Sequence, residues 1–128
     1  MDDTTTTVAE LKTAVAAFRD ARDWAQFHTA KDLALSIAIE AAELMELFQW
    51  KTNAETIAFL AEDAGAARLR EEFADVLIYC LSLADALGVD VSRAVHDKLE
   101  KNGAKYPAGL SRGTATKYTD LTGPLSPG

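Results

Sequence analysis

Between residues 8 and 105 the apolar positions recur every three to four residues rather than every two, which predicts helices and no strand. Thr7, followed three residues later by Glu10, has the form of a capping box and opens a first helix, VAELKTAVAAFRDAR. Thr29 and Asp32 are placed to play the same two parts before a long second helix, AKDLALSIAIEAAELMELFQW, which Trp50 ends. Asn53 is suited to cap a short third segment, AETIAFLAED, which weakens at Gly65. A fourth helix, AARLREEFADVLIYCLSLADALG, stops at Gly88, since glycine takes the left-handed conformation that terminates helices. Asp90 caps the last, VSRAVHDKLEKN, and Gly103 closes it. From Tyr106 the chain is rich in Gly, Ser, Thr and Pro and reads as an extended tail. The expected fold is all-α: an antiparallel bundle of four to five helices over residues 1–105, with the tail over 106–128.

Two stretches depart from a plain amphipathic bundle. Around IEAAELMEL, residues 39–47, Ile37, Leu44 and Leu47 define an apolar stripe, yet Glu40 falls inside it and Glu43 lies about 60° to one side. From Val76 to Leu87 the fourth helix is apolar nearly all the way round, so it is buried on more than one side. Either other helices of the same chain cover it, or a second subunit does.

Composition narrows the partners. A chain of 128 residues with 48% hydrophobic and 26% charged residues suits one globular domain. A net charge of -7 argues against a nucleic-acid polymer as partner, because phosphate backbones need basic surface. A phosphorylated small molecule is still compatible if divalent cations neutralise the carboxylates. One cysteine, Cys80, forms no intrachain disulfide and fits a reducing compartment. The N-terminal residues lack the pattern of a signal peptide, and no apolar run reaches membrane-spanning length. A soluble, cytoplasmic protein with no membrane partner is expected.

Against that background the acids take on meaning. Glu40 and Glu43 form an E-x-x-E pair, and Glu72 and Asp75 an E-x-x-D pair on another helix. Residues three apart share a face, so each pair can aim two carboxylates at one spot. Facing pairs would offer the hard oxygen ligands that Mg²⁺ or Mn²⁺ prefers, and without a cation they would raise one another's pKa values. The plainer reading is solvated, salt-bridged surface charge, since E-x-x-E is common on helices. A di-iron site would need Glu-x-x-His twice, and neither His28 nor His96 has an acid three residues before it.

Trp24, Trp50 and Tyr79 are candidates to stack a flat base, Tyr79 lying one turn beyond Asp75 on the same face, or else they fill the core. Lys98, Asn102, Lys105 and Tyr106 cluster near the end of the last helix. They suit a triphosphate beside metal ions, or simply complement the helix macrodipole.

The segments RDWAQFH, EAAELMELFQWK, EEFADVLIY, DKLEKNGAKYP and LSRGTATKYTDL, in this order and spacing, resemble the all-α MazG-type nucleoside triphosphate pyrophosphohydrolases, and FQWK with the tail resembles their dCTP-hydrolysing branch. The resemblance implies a homotetrameric helical bundle with sites between subunits. It implies Glu40, Glu43, Glu72 and Asp75 as ligands of Mg²⁺ and Trp24, Trp50 and Tyr79 as the base pocket. Lys98, Asn102 and Tyr106 would hold the phosphates, with Arg112 and Lys117 of the tail as further candidates. The reaction implied is cleavage between the α- and β-phosphates to a nucleoside monophosphate and pyrophosphate. Metal ions would polarise the α-phosphoryl group, and a glutamate, Glu43 first and Glu40 beside it, would orient or deprotonate the attacking water. Two other readings stay open: a related hydrolase for another or non-canonical triphosphate, and a non-catalytic helical interaction module.

Overall fold

The computed structural model describes residues 1–121, which form six α-helices and two 3₁₀ turns, with no strand among the described residues. The helices are α1 (Val8–Asp20), α2 (Ala30–Glu46), α3 (Asn53–Ala61), α4 (Asp63–Leu87), α5 (Val91–Lys105) and α6 (Ala108–Ser111). The 3₁₀ turns are Ala25–Phe27 and Tyr118–Asp120. The all-α expectation holds. Residues 122–128 of the expected tail lie outside the described residues.

Side-chain caps explain most of the boundaries. The Thr7 hydroxyl accepts the Glu10 N–H at 3.2 Å while the Glu10 carboxylate accepts the Thr7 N–H at 2.7 Å, so the expected box closes. At α2 only half a box forms: Thr29 accepts from the Asp32 N–H, and the shorter Asp32 side chain makes no return bond. Asp90 caps α5 by accepting the Arg93 N–H at 2.9 Å, and Gly88 ends α4 at φ 65°.

Several boundaries differ from the sequence reading. Thr52, not Asn53, caps α3, because Thr52 has the extended backbone of a cap and Glu55 three residues on completes a reciprocal box. α2 stops at Glu46, short of Trp50, and the chain turns through residues 47–50. Gly65 sits inside α4 instead of breaking the chain before it. A Cβ there would lie 2.0 Å from the Phe59 carbonyl oxygen, so glycine is what lets the end of α3 press against the start of α4. Gly103 likewise continues α5 to Lys105, a penalty of about 1 kcal/mol that does not forbid a helix. The tail, finally, is not extended throughout, since it carries α6 and a 3₁₀ turn.

The chain divides into two compact units, Met1–Val89 and the remainder from Asp90. In the first, α1, α2 and α3 all pack on α4. Leu33, Leu47 and Ala84 are its buried apolar side chains, with Leu33 only 1% exposed. Arg19 ties α1 to α4 through a 2.8 Å ion pair with Asp85 and also holds Asp20 at 2.8 Å. Lys12 Nζ donates to the Val89 carbonyl at 2.9 Å. Much apolar surface remains uncovered: Ile39, Met45, Ile57, Phe73, Leu77 and Ile78 are all exposed in the single chain. In the second unit, the ring of Tyr118 meets Tyr106 edge-on at 5.9 Å and the Lys105 ammonium at 4.9 Å, which folds the tail back on the end of α5. No helix among the described residues is long and apolar enough to cross a membrane.

Candidate metal centre

The packing of α2 on α4 brings the two acidic motifs together. Glu40, Glu43 and Glu72 each contribute a carboxylate oxygen to a group whose members lie within 4.8 Å of one another. Glu40 and Glu72 are half-buried and Glu43 is exposed. One oxygen of Glu40 and one of Glu72 are buried and have no hydrogen-bond partner. Asp75, one turn beyond Glu72, is exposed and stands outside this group of three, though its charge acts on both half-buried acids.

The electrostatic consequence falls on the two half-buried acids, Glu40 and Glu72, whose ionisation is disfavoured. Burial pushes the Glu40 carboxyl above its ordinary value, and Glu43, Asp75 and Glu72 push it the same way. Burial and the charges of Glu43 and Asp75 likewise raise Glu72, with Arg68 one turn earlier on α4 pulling the other way. Buried acceptors without donors are costly in any protein. A divalent cation would supply the missing positive charge, and a set of carboxylate oxygens is the donor chemistry that hard cations select. The residues present therefore fit a divalent metal. Glu46 and Glu71 are exposed and lie outside the cluster, as do both histidines.

The aromatic candidates are dispersed over the first unit. Trp24 sits between α1 and the first 3₁₀ turn, edge-on to Phe18 at 5.9 Å, with the Arg22 guanidinium stacked 3.5 Å from the Phe18 ring. Tyr79 is half-buried on α4. Trp50 is 92% exposed and has a φ of 68°, in the left-handed region that a bulky residue seldom enters. Among the described residues these three rings make no ring–ring contact with one another.

The candidate phosphate ligands all belong to the second unit. Lys98 and Asn102 lie on α5, where Lys98 with Ala94, Val95 and Leu99 lines an apolar groove of ≈ 290 Å³. Tyr106 ends that helix, Arg112 follows α6, and Lys117 precedes the last 3₁₀ turn. Two residues of interest escaped the sequence reading. Arg68 was legible in its i, i+4 spacing from Glu72. Lys51 stood in the quoted FQWK, but nothing in the pattern showed that its ammonium turns back onto the carbonyl of Leu47.

Known proteins resemble this chain over most of its length. The MazG-like family model matches residues 35–121, a span that contains all four paired acids and every candidate phosphate ligand. A dCTP pyrophosphatase 1 from Rattus norvegicus is 45% identical over 115 residues, covering 90% of this chain and 68% of the relative. Its counterpart from Homo sapiens is 42% identical over the same extent. A crystal structure of a pyrophosphatase from Archaeoglobus fulgidus superposes with a TM-score of 0.73 at 42% identity, covering 84% of this chain and 98% of that one. With the paired carboxylates of α2 and α4 inside the matched span, the chain belongs to the MazG-like family.

Proposed function

We propose that the chain is a divalent-metal-dependent dCTP pyrophosphatase, hydrolysing dCTP, and 5-modified dCTP with it, to dCMP and pyrophosphate. The observation that carries this reading is the cluster of Glu40, Glu43 and Glu72, with buried oxygens that lack any donor, in a chain 42–45% identical to dCTP pyrophosphatases. Glu40, Glu43, Glu72 and Asp75 hold the metal, Mg²⁺ for preference and Mn²⁺ as a substitute. When bound, the metal supplies positive charge to the phosphate oxygens and to the leaving pyrophosphate.

The chain's own residues do the rest. Glu43, the exposed member of the cluster, orients the attacking water and accepts its proton. The water oxygen bonds to the α-phosphorus as the bond to the bridging oxygen breaks, and that oxygen leaves with the β- and γ-phosphates as pyrophosphate. Trp24, Trp50 and Tyr79 form the base pocket. Lys98, Asn102 and Tyr106 grip the phosphates, with Arg112 and Lys117 assisting. Residues 1–105 make the catalytic domain and 106–128 its tail. The uncovered apolar faces of α2, α3 and α4 support assembly into a homotetramer with sites between subunits.

Incubation with each dNTP and NTP and with 5-methyl-dCTP, in Mg²⁺ or EDTA, tests the assignment by chromatography of the products. Metal-dependent dCMP and pyrophosphate, with other bases poorly used, is the expected result. Faster turnover of another triphosphate would move the substrate and keep the mechanism. No turnover of any nucleotide would favour a non-catalytic interaction module.

A further inference from the structure

The turn after α2 holds a residue in a conformation its side chain disfavours. Trp50 has φ 68° and is 92% exposed, so neither local preference nor burial accounts for its placement. Such an outlier persists only if its surroundings over-determine it, and those surroundings are identifiable. Lys51, the next residue, donates its backbone N–H to the Phe48 carbonyl at 3.1 Å, which closes the turn around Trp50. Its side chain folds back the same way. Lys51 Nζ donates to the Leu47 carbonyl at 2.7 Å in a partly buried setting, satisfying one of the orphan carbonyls at the end of α2. The ammonium also lies 4.7 Å from the centre of the Phe59 ring. Phe59 is in turn fixed by the close approach of Gly65 to its carbonyl. A chain of contacts thus runs from the α3–α4 junction through Phe59 and Lys51 to the turn that presents Trp50.

We propose that Lys51 is a positioning residue for nucleobase recognition: its ammonium, clamped between the Leu47 carbonyl and the Phe59 ring, locks the left-handed turn that holds the Trp50 indole outward as a stacking platform. This rests on the reading of Trp50 as part of the base pocket. A lysine placed merely for charge at the helix end could sit free in solvent; this one is drawn inward onto an acceptor and a ring. Lys51 is assigned no contact with the nucleotide itself. Its effect is to spare the nucleotide the work of ordering the turn on binding.

Steady-state kinetics with dCTP, alongside inhibition by inorganic tripolyphosphate, tests the proposal on the full-length protein. Tripolyphosphate carries the phosphates without a base, so it reports the metal and phosphate grip alone. Trp50→Gly, which accepts a positive φ without strain, should keep or raise the melting temperature while raising KM for dCTP about tenfold, the scale of a lost base stack. Lys51→Met should raise KM several-fold at nearly unchanged kcat, leave tripolyphosphate inhibition as it was, and be rescued by Lys51→Arg. An unchanged KM in Lys51→Met beside a raised one in Trp50→Gly would overturn the role of Lys51 and leave the base pocket standing. An unchanged KM in Trp50→Gly would remove Trp50 from the pocket and the proposal with it. A Lys51→Met variant that weakens tripolyphosphate as much as dCTP, or loses kcat in step with its melting temperature, would make Lys51 a structural residue only.

Discussion

At the scale of single residues, the acids of α2 and α4 show how a candidate metal site carries an electrostatic cost. Glu40 and Glu72 have their carboxyls pushed upward by burial and by their acidic neighbours. A carboxyl that is harder to ionise in the folded chain than in the unfolded one favours the fold while protonated. Its contribution is complete below the ordinary value of 4.5 and is lost as pH rises through the raised one. In EDTA, therefore, Glu40→Gln should melt higher than the parent at pH 7, and the difference should vanish as pH falls below about 4.5. A thermal melt series across pH 4 to 8 checks this. Adding Mg²⁺ at pH 7 should raise the parent's melting temperature and move Glu40→Gln much less, because the cation binds the folded carboxylates and not the dispersed ones. Both acid pairs were readable from their spacing, as was the anomaly of Glu40 inside an apolar stripe. The buried oxygens without partners were not, for they depend on how α2 seats on α4. The left-handed Trp50 was equally invisible, because sequence preference argues against it.

At the scale of elements, most of the helices follow from caps and periodicity. The Thr7–Glu10 box, the Asp90 cap and the Gly88 stop were all legible because each depends on residues within a turn of one another. The two misjudged glycines have other causes. Gly65 and Gly103 were read as breaks from local preference, whereas tertiary contact decides the first and the helix simply tolerates the second. Gly65→Ala is accordingly expected to destabilise the first unit by about 2 kcal/mol or more, since its methyl meets backbone that cannot swing away. Gly103→Ala has open space around the added carbon and should stabilise α5 by up to about 1 kcal/mol. Denaturant melts of the two variants side by side test this, and equal effects would contradict it.

At the scale of the whole molecule, a thin core coexists with a long apolar helix. α4 is covered by three neighbours, yet Leu77 and Ile78 remain exposed, along with Ile39 on α2 and Ile57 on α3. The sequence could say that α4 needed cover on several sides but not who provides it. If copies of the chain do, sedimentation should find an assembly of four chains, and Leu77→Glu should dissociate it and lose dCTP turnover together with it. A monomer of full activity would refute that assembly. The central claim, that the carboxylate cluster turns dCTP into dCMP and pyrophosphate by attack of water at the α-phosphorus, is tested most directly in H₂¹⁸O. With Mg²⁺ present, mass spectrometry should place one ¹⁸O in dCMP and none in pyrophosphate, and both EDTA and Glu43→Gln should suppress the product. Label in pyrophosphate, release of inorganic phosphate, or undiminished turnover by a folded Glu43→Gln variant would contradict the account.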